Sequence, residues 1–407
     1  MKNVVFIGQV TDISGYGNAA RSYLQSLLAL HTEGKISLKI INFSFEKAKV
    51  EISKEIEHLF LSEQQVRDIL FEEYEVIFFL TNDNLLLGKD REELFFGWFG
   101  KIRPNLYKVC KNAKNLFPCV VWETEKVPLG VQNAYQEFKN INTLLCACSW
   151  NKDVFLKQTG IPCVVIPYTL VGSGTTFDAS TFQRLTEIKD ERFSFCSVSQ
   201  WGYRKGFDIL IKSFLIEFQD DPVDLVLKTY INKAFTFKDE TSIIKKEIDD
   251  IKAKLFLNQV EPQCRIIVIN SLMKKEEINS IYRSSDCYVT CTRGEGFGLP
   301  IAEFINFSKP VIVPDKGGHL DFCSRENFFI ESRYEPFTEP PHTLYEPRMR
   351  IVESSMSSTM EKMREAYNLF KQDNETYLER GKKSREFLSN YLDAKQNTKL
   401  FKKLLEK

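Results

Sequence analysis

The stretch that decides the fold runs from residue 287 to residue 322 and reads CYVTCTRGEGFGLPIAEFINFSKPVIVPDKGGHLDF. Its apolar start predicts a strand that ends at Thr290, and a glycine-rich turn follows. Pro300 stands where the first turn of a helix tolerates proline, so the pattern predicts a helix that continues through residues 301–307. A strand, a glycine-rich loop and a helix N-terminus are together typical of an anion-binding site, because free backbone N–H groups point at the ligand. The glycines of the turn are Gly294, Gly296 and Gly298.

Two glutamates bracket this anion site. Glu295 stands before the loop, and Glu303 is expected in the first turn of the predicted helix. A carboxylate accepts bidentate hydrogen bonds from vicinal hydroxyls, so the two side chains could bind one pair on a sugar and one pair on a ribose. The missing side chains at Gly296 and Gly298 would let the backbone approach the same ligand.

At these residues the chain resembles the retaining glycosyltransferases of the GT-B fold, in the large group numbered family 4. The resemblance rests on Glu295 and Glu303 within EGFGLPIAE and on the later run KPVIVPDKGG. It implies a nucleotide-sugar donor in the C-terminal domain, an acceptor bound mainly by the N-terminal domain, and neither an essential metal nor another cofactor. It also implies that Glu295 contacts the donor sugar and that Glu303 holds the ribose hydroxyls. The sugar and diphosphate would then meet the backbone of Gly296, Phe297, Gly298 and Leu299.

The length of 407 residues predicts two domains, because single hydrophobic cores stop growing at roughly 250 to 300 residues. Short runs rich in Val, Ile and Phe alternate with amphipathic stretches, which predicts the α/β class with parallel sheets. The resemblance further implies the GT-B arrangement, in which two Rossmann-like domains face a central cleft. A small, polar stretch at 169–180 predicts a linker. We therefore expect an acceptor domain at 1–172 and a donor domain at 181–384, with a helix at about 385–407 packing back on the first domain. The predicted strands are 4–7, 38–43, 76–80, 119–122, 144–147 and 164–167, then 193–198, 225–228, 265–269, 287–290, 310–313 and 327–330.

A basic pair, Arg204 and Lys205, follows the predicted strand 193–198 in a turn. Two cations can offset the charge of a diphosphate as it leaves, and such electrostatic stabilisation is usually the largest contribution to catalysis. The segment resembles the family's G-R-x-x-x-x-K-G, in which Lys205 matches the lysine. Gln200 stands where the usual arginine would be, so either Arg204 supplies the second charge from a different position or that cation is absent.

The first strand is followed by a segment that contains Gly15 and Gly17, before apolar residues at helical spacing. A glycine loop that leads into a helix suits a binding face, and by the resemblance it meets the donor phosphates or the acceptor. The spacing from Gly8 does not match G-x-G-x-x-G, which disfavours a nicotinamide dehydrogenase.

Five further residues stand near predicted strand ends. Glu123, in WETEKVPLG, is expected either to contact the acceptor or sugar as part of the catalytic set, or only to cap a turn. Ser149 begins a predicted helix, as part of the site or as a plain N-cap. Lys228 and Asn270 occupy positions where this fold contacts the donor base and phosphates. His319 either meets the donor or is a turn residue bonded to backbone.

Composition excludes several classes of protein. Lysine plus arginine and aspartate plus glutamate both number 55, so there is no net field to attract a nucleic acid. The four histidines and ten cysteines form no zinc pattern, and the cysteines read as reduced core thiols. No transmembrane run and no signal peptide are visible, which predicts a cytoplasmic protein. The basic tail KLFKKLLEK predicts a solvated or domain-bridging helix, with a weak membrane-surface contact as the alternative.

With the resemblance, the sequence predicts an enzyme that moves a sugar from a nucleotide-diphosphate-sugar to a hydroxyl of a glycan, a lipid-linked or a small acceptor, with retention and without a metal. One alternative is a nucleotide-sugar epimerase or a phosphorolytic enzyme on the same fold. Neither the acid and base groups that an epimerase needs nor the cofactor lysine that a phosphorylase needs stands out. The other is a noncatalytic nucleotide-sugar binding protein, which the presence of both Glu295 and Glu303 argues against.

Overall fold

The structure, a computed structural model, divides into two compact units that are described separately below. The first comprises Met1–Val171, His342–Glu346 and Leu392–Lys407, and the second comprises Gly172–Pro341 and Pro347–Tyr391. The predicted linker lies outside the described residues from position 171 onward. The described residues are 1–44, 49–79, 103–136, 138–170, 192–231, 240–255, 261–271, 273–338, 345 and 348–406.

The first unit contains a parallel sheet of six strands in the order β2-β1-β3-β4-β5-β6. Its strands are short apolar runs whose residues are mostly buried, as expected for parallel sheets covered on both faces. The strands are β1 (Lys2–Gly8), β2 (Ile36–Asn42), β3 (Glu75–Phe79), β4 (Leu116–Val120), β5 (Leu144–Cys146) and β6 (Cys163–Val165).

The longest helix among the described residues of the first unit is α1, which Ser14 caps by accepting a hydrogen bond from the backbone N–H of Gly17 at 3.2 Å. The C-terminal helix α13 packs on α1, with the ring centroids of Phe401 and Tyr23 5.3 Å apart. Asn397 also donates to the carbonyl of Pro167 at 2.6 Å. The helices of this unit are α1 (Gly15–Thr32), α2 (Lys54–Glu57), α3 (Glu63–Asp68), α4 (Arg103–Asn112), α5 (Leu129–Gln136), α6 (Ser149–Thr159) and α13 (Ala394–Glu406).

The second unit contains a parallel sheet of six strands in the order β12-β11-β10-β7-β8-β9. An antiparallel pair, β13 with β14, lies outside this sheet. The strands are β7 (Phe193–Val198), β8 (Val223–Lys228), β9 (Arg265–Ile269), β10 (Cys287–Val289), β11 (Val311–Pro314), β12 (Phe328–Ile330), β13 (Ser332–Pro336) and β14 (Arg350–Ser354). The helices are α7 (Phe207–Glu217), α8 (Glu240–Lys254), α9 (Lys275–Ser284), α10 (Leu299–Ile305), α11 (Met356–Gln372) and α12 (Asn374–Tyr391).

The predicted α/β class with parallel sheets is confirmed, and the differences are local. The predicted strand 119–122 begins and ends too late, because β4 includes Pro118 and ends at Val120. The pair β13–β14 was not predicted at all. Gly15 and Gly17 lie inside the first turn of α1, so the prediction of a glycine loop before the helix is wrong.

Candidate active site

The strand order of the second unit creates a switch point between β7 and β10. From β7 the chain continues to β8 and β9 on one side, while β10, β11 and β12 lie on the other. In open α/β sheets, ligands bind at the carboxyl ends of the strands that flank such a point. The segments that follow these two strands carry Lys205 and Glu295.

Lys205 and Glu295 join the two segments through an ion pair. The hydroxyl of Thr292 also donates to the Glu295 carboxylate, at 3.4 Å. The two charged side chains are only 14% and 15% exposed. Two of the residues that the sequence assigned to catalysis are therefore in direct contact, although 90 residues separate them in the chain.

The two segments approach so closely that position 206 requires glycine. Gly206 ends the short 3-10 helix Tyr203–Lys205 with φ of 67°, and a Cβ there would overlap the carbonyl of Cys291. Any side chain at this position would be strained and would push the segments apart. The ion pair between Lys205 and Glu295 thus depends on this close backbone contact.

The electrostatic environment keeps Glu295 ionised. Burial acts to raise the pKa of Glu295, but the positive charges of Lys205 and Arg204 lower it below its ordinary value. An ionised carboxylate only accepts hydrogen bonds, so Glu295 is suited to bind hydroxyl groups.

Arg204 contacts the same loop through backbone groups. Its guanidinium donates to the carbonyl of Gly294 at 2.6 Å, and its own carbonyl accepts a hydrogen bond from the N–H of Arg293 at 2.6 Å. The positive charge of Arg204 therefore lies near Glu295, and its role as the second cation in place of the arginine missing at Gln200 stays a prediction.

The glycine-rich loop turns into α10 at Gly298, which has φ of 95°. Phe297 is buried and packs against Phe322, with the ring centroids 5.0 Å apart. Its side chain belongs to the core, which is consistent with the expectation that only the backbone of this loop meets a ligand. Leu299 is the first residue of α10, and Pro300 occupies the first turn as predicted.

Glu303 lies past the first turn of α10, which corrects its predicted position. One carboxylate oxygen accepts a hydrogen bond from the hydroxyl of Tyr282 at 3.1 Å, and the other forms an ion pair with Lys275. The side chain of Glu303 is 13% exposed. Tyr282 and Lys275 were not predicted as site residues, because both belong to α9 and no motif marks them.

His319 is completely buried after β11. Its Nε2 atom lies 2.8 Å from the carbonyl of Pro314, whereas Nδ1 has no hydrogen-bond partner among the described residues. A carbonyl accepts only, so Nε2 carries the proton and Nδ1 the lone pair. Burial lowers the pKa of His319, and the bond to Pro314 and the charge of Glu295 oppose this only in part. The predicted alternative of a turn residue bonded to backbone accounts for Nε2 but not for Nδ1.

Lys228 and Asn270 lie at the carboxyl ends of β8 and β9. Lys228 is 6% exposed, and its ammonium donates to the carbonyl of Thr229 at 3.4 Å and lies 5.8 Å from the ring centroid of Tyr230. Burial lowers the pKa of Lys228, and the charge of Glu240 opposes the shift. Asn270 donates to the hydroxyl of Thr241 at 3.2 Å. Both residues are thus on the predicted edge of the sheet, and their contact with a donor remains a prediction.

In the first unit, Gly17 has a structural reason to be glycine, because a Cβ there would overlap the carbonyl of Asp12. Nothing lies within 4 Å of the position that a Cβ of Gly15 would take. Arg21 closes the segment between β1 and α1 by donating to the carbonyls of Val10 at 2.7 Å and of Asp12 at 2.8 Å. The predicted donor contacts of both glycines stay predictions.

Glu123 follows β4 and accepts a hydrogen bond from the hydroxyl of Tyr345 at 3.3 Å. The ring of Tyr345 lies beside that of Trp122, with centroids 5.4 Å apart. The carbonyl of Lys126 accepts from the Trp122 indole at 2.7 Å, which fixes the turn that carries Glu123. Nearby, α6 begins at Ser149 as predicted, but Cys148 is its N-cap.

Comparisons with known proteins agree with this architecture. HepE of Anabaena in complex with UDP and glucose is similar over 100% of both chains, with a TM-score of 0.61 at 12% identity. Sucrose-phosphate synthase from Thermosynechococcus elongatus is similar over 100% of this chain and 98% of its own, with a TM-score of 0.62 at 11% identity. An E. coli trehalose-6-phosphate structure bound with UDP-2-fluoro glucose is similar over 98% of both chains, with a TM-score of 0.64 at 10% identity. These likenesses establish that the chain has the GT-B fold.

The family comparison identifies the second unit more closely. Residues 178–335 match the model of the glycosyl transferases group 1 family. The second unit therefore carries a glycosyl transferases group 1 domain, and this domain contains the Lys205–Glu295 pair and Glu303. No curated protein sequence matches the chain.

The described part of the chain contains neither a candidate membrane span nor a candidate metal-binding cluster. No helix there combines the length and apolar character that a membrane span requires. Among the same residues, no group of three His, Cys, Asp or Glu side chains is arranged to hold a metal ion. The apolar residues of α13 that the basic tail would insert into a membrane surface, such as Phe401 and Leu405, are buried.

Proposed function

We propose that the chain transfers a sugar from a nucleoside diphosphate sugar to a hydroxyl acceptor, with retention at the anomeric carbon and without a divalent metal. The observation that carries this proposal is the Lys205–Glu295 ion pair at the switch point of the second unit. It supplies a cation for a diphosphate and a carboxylate for sugar hydroxyls in one place. The structures of similar proteins that contain UDP, or UDP with glucose, make a uridine diphosphate sugar the first donor to test.

In the reaction, the bond between the anomeric carbon and the β-phosphate oxygen breaks, and the acceptor oxygen forms the new bond to that carbon. Negative charge grows on the diphosphate during this step, so a cation beside it stabilises the transition state more than the ground state. Lys205 supplies this cation. An ammonium has three N–H donors, so Lys205 can bind a phosphate oxygen while it keeps its contact with Glu295.

Glu295 and Glu303 bind two different sets of hydroxyl groups on the donor. Glu295 is ionised and accepts from hydroxyls of the donor sugar, while Glu303, oriented by Tyr282 and Lys275, accepts from the ribose. Arg204 adds positive charge near the diphosphate. Together with Lys205 it takes the part that a divalent cation plays in metal-assisted transfer.

The proton of the acceptor hydroxyl passes to the leaving phosphate, so the acceptor attacks on the face from which the diphosphate departs. This front-face route gives retention without a covalent intermediate on a protein carboxylate, in contrast to the double displacement of retaining hydrolases. Glu123, in the first unit, is assigned to the acceptor or the sugar.

The test is a thermal-shift panel with UDP-, GDP- and ADP-glucose in excess chelator, followed by an assay for release of the nucleoside diphosphate. A donor at 100 times its dissociation constant should add about 2.7 kcal/mol to the free energy of unfolding. With an acceptor, the anomeric configuration of the product is then read by NMR.

Each of these measurements has an outcome that would contradict a different part of the proposal. No shift and no release with any donor would contradict the function, whereas a shift without release would favour a noncatalytic binding protein. Activity that chelator abolishes and magnesium or manganese restores would contradict metal independence. An inverted product would contradict the front-face route.

A further inference from the structure

Arg293 is among the largest completely buried side chains, and it lies two residues before Glu295. Its guanidinium faces two carboxylates. Nη1 and Nη2 donate to Asp208 at 2.8 and 2.9 Å, and Nε and Nη2 donate to Glu353 at 2.7 and 3.1 Å. Nη1 also donates to the carbonyl of Tyr203 at 2.7 Å. All five N–H donors of the guanidinium therefore have a partner.

The backbone of Arg293 makes two further connections. Its N–H donates to the carbonyl of Arg204 at 2.6 Å, and its carbonyl accepts from the N–H of Val352 at 2.9 Å. The ring of Tyr203 covers the guanidinium, 4.0 Å from its centre. One residue thus ties together the segment that carries Lys205, the loop that carries Glu295, and strand β14.

Arg293 is charged in this environment. Burial opposes the charge, but the hydrogen bonds and negative charges of Asp208 and Glu353 raise the pKa of Arg293 above its ordinary value. The same contact holds the pKa of Asp208 below its usual range against the effect of burial. A group this well paired is rigid, because any rotation would leave a buried donor or carboxylate without its partner.

We propose that Arg293 is a positioning residue for glycosyl transfer, which holds Lys205 and Glu295 at the mutual geometry that the donor requires. The inference rests on the proposed function, because it assigns Lys205 to the diphosphate and Glu295 to the sugar. Arg293 contacts the backbone on both sides of this pair, at Tyr203 and Arg204 in one segment and through its own peptide in the other. It acts on the reaction only through these neighbours.

Lysine cannot take this role, although it keeps the positive charge. Its ammonium is a point charge with three donors, whereas the guanidinium binds two carboxylates in bidentate fashion and stacks on an aromatic ring. Arg293→Lys is therefore expected to preserve the charge balance and to loosen the geometry. A displacement of about 1 Å at a reacting group can lower the rate roughly 100-fold.

The second unit offers a matched control at Arg364 on α11. Its Nε donates to Glu217 at 2.7 Å, its Nη2 donates to Asp221 at 2.8 Å, and its guanidinium lies 4.5 Å from the ring centroid of Phe218. Arg364→Lys thus breaks a similar clamp, and none of these partners belongs to the segments of the proposed site. Both substitutions should lower the melting temperature, but only the one at position 293 should lower kcat.

The decisive measurement is a double-mutant cycle with the donor of the UDP-, GDP- and ADP-glucose panel that gives the largest thermal shift. We expect Arg293→Lys to lower kcat roughly 10- to 100-fold while KM for the donor changes much less. In a Lys205→Ala background, the same substitution should cost much less than it does in the wild type, because its effect passes largely through Lys205. The proposal would be overturned if the double variant lost kcat by the full product of the two single losses. It would also be overturned if Arg364→Lys lowered kcat as much as Arg293→Lys does.

A second measurement does not depend on turnover. If Arg293→Lys fails to fold, Glu353→Gln weakens one side of the clamp and keeps its shape. The carboxylate of Glu295 is then titrated by carbon-13 NMR in the wild type, in this variant and in Arg364→Lys. The titration midpoint of Glu295 should move up toward 4.5 only in the clamp variant, because Lys205 and Arg204 are held less closely. An unchanged midpoint would overturn the positioning role, whereas a wild type that binds none of the three donors would contradict the proposed function instead.

Discussion

The carboxyl edges of the two parallel sheets differ in what their charged side chains contact. In the second unit, Lys205 and Glu295 face each other across the switch point. In the first unit, Arg21 donates to the backbone carbonyls of Val10 and Asp12 and so fixes a loop. The contrast is consistent with the proposed site for a charged ligand at the second edge, whereas Arg21 at the first edge maintains the shape of its loop. A diphosphate is charged and an acceptor hydroxyl is neutral, which matches the assignment of donor and acceptor to the two units.

The largest expected effect is a loss of kcat on mutation of Lys205, at the carboxyl edge of the second sheet. Lys205→Ala should lower kcat about 100- to 1,000-fold, because a group that stabilises the leaving charge contributes about 2.7 to 4 kcal/mol to the transition state. Steady-state kinetics measure kcat and KM separately. Lys362→Ala is the control, since Lys362 forms ion pairs with Glu361 and Glu365 on α11. A variant with raised KM and unchanged kcat would show that Lys205 binds ground and transition states alike.

A smaller effect, on nucleotide affinity, is expected from mutation of Glu303, which is assigned to the ribose. Glu303→Gln should raise the dissociation constant of the nucleoside diphosphate roughly 10- to 150-fold, since a charge-assisted hydrogen bond contributes about 1.5 to 3 kcal/mol. The hydroxyl of Tyr282 can still donate to the amide oxygen, so the fold should be retained. Calorimetric titration measures the affinity, with Glu365→Gln as the control for loss of a carboxylate elsewhere. Equal affinities of Glu303→Gln and the wild type would refute the ribose assignment.

At the carboxyl edge of the first sheet, mutation of Arg21 is expected to lower the stability of the protein and to leave nucleotide binding unchanged. Arg21→Met removes the donor from the carbonyls of Val10 and Asp12, which should lower the free energy of unfolding by about 1 to 3 kcal/mol. The affinity for the nucleoside diphosphate should stay the same. Urea unfolding and calorimetry measure the two quantities on one sample. A variant of normal stability that binds the nucleotide poorly would break the comparison between the edges.

The smallest expected effect is the pH dependence from His319. Burial lowers the pKa of His319 below 6.5, so the unfolded chain binds this proton more tightly than the folded chain does. Stability from this residue is therefore complete above about pH 6.5 and is lost as the pH falls through the folded pKa, by about 1.4 kcal/mol for each pH unit that separates the folded and unfolded pKa. His319→Gln should flatten the dependence of the free energy of unfolding between pH 7.5 and pH 5.5. An unchanged slope would place the proton uptake elsewhere.

The sequence predicted the features that depend on local pattern. Strands β7 and β9 have the predicted bounds 193–198 and 265–269. All residues of β7 are buried, whereas β9 lies at the edge of its sheet and is mostly half-buried, so its run of Ile and Val marks it. The predicted strand 119–122 starts after Pro118, whereas β4 begins at Leu116. Proline rarely occurs inside a sheet, but every residue of β4 is buried. Strands β13 and β14 are only five residues long and mix charged, polar and apolar residues without a regular alternation, so the pattern does not separate them from a loop.

Within the candidate site, the sequence identified the residues that lie in a motif and missed those that act at a distance. Glu295, Lys205 and Glu303 were found because their segments resemble a known family. Arg293 was missed although it stands in the same motif, because its partners Asp208 and Glu353 are 85 and 60 residues away. A single sequence does not show which distant carboxylates a buried arginine will meet.

The packing of α13 on α1 has a consequence for how the protein is made. Tyr23 is buried partly by Phe401, a residue that leaves the ribosome only after the whole second unit has been synthesised. The first unit is therefore the first to emerge and the last to be completed, and during translation its helix α1 has an uncovered apolar face. Domains usually fold in order as they emerge, and exposed apolar surface of this kind invites aggregation. Synthesis through α13 is thus a condition for a finished first unit, and a nascent chain that stalls within the second unit is expected to need protection by a chaperone.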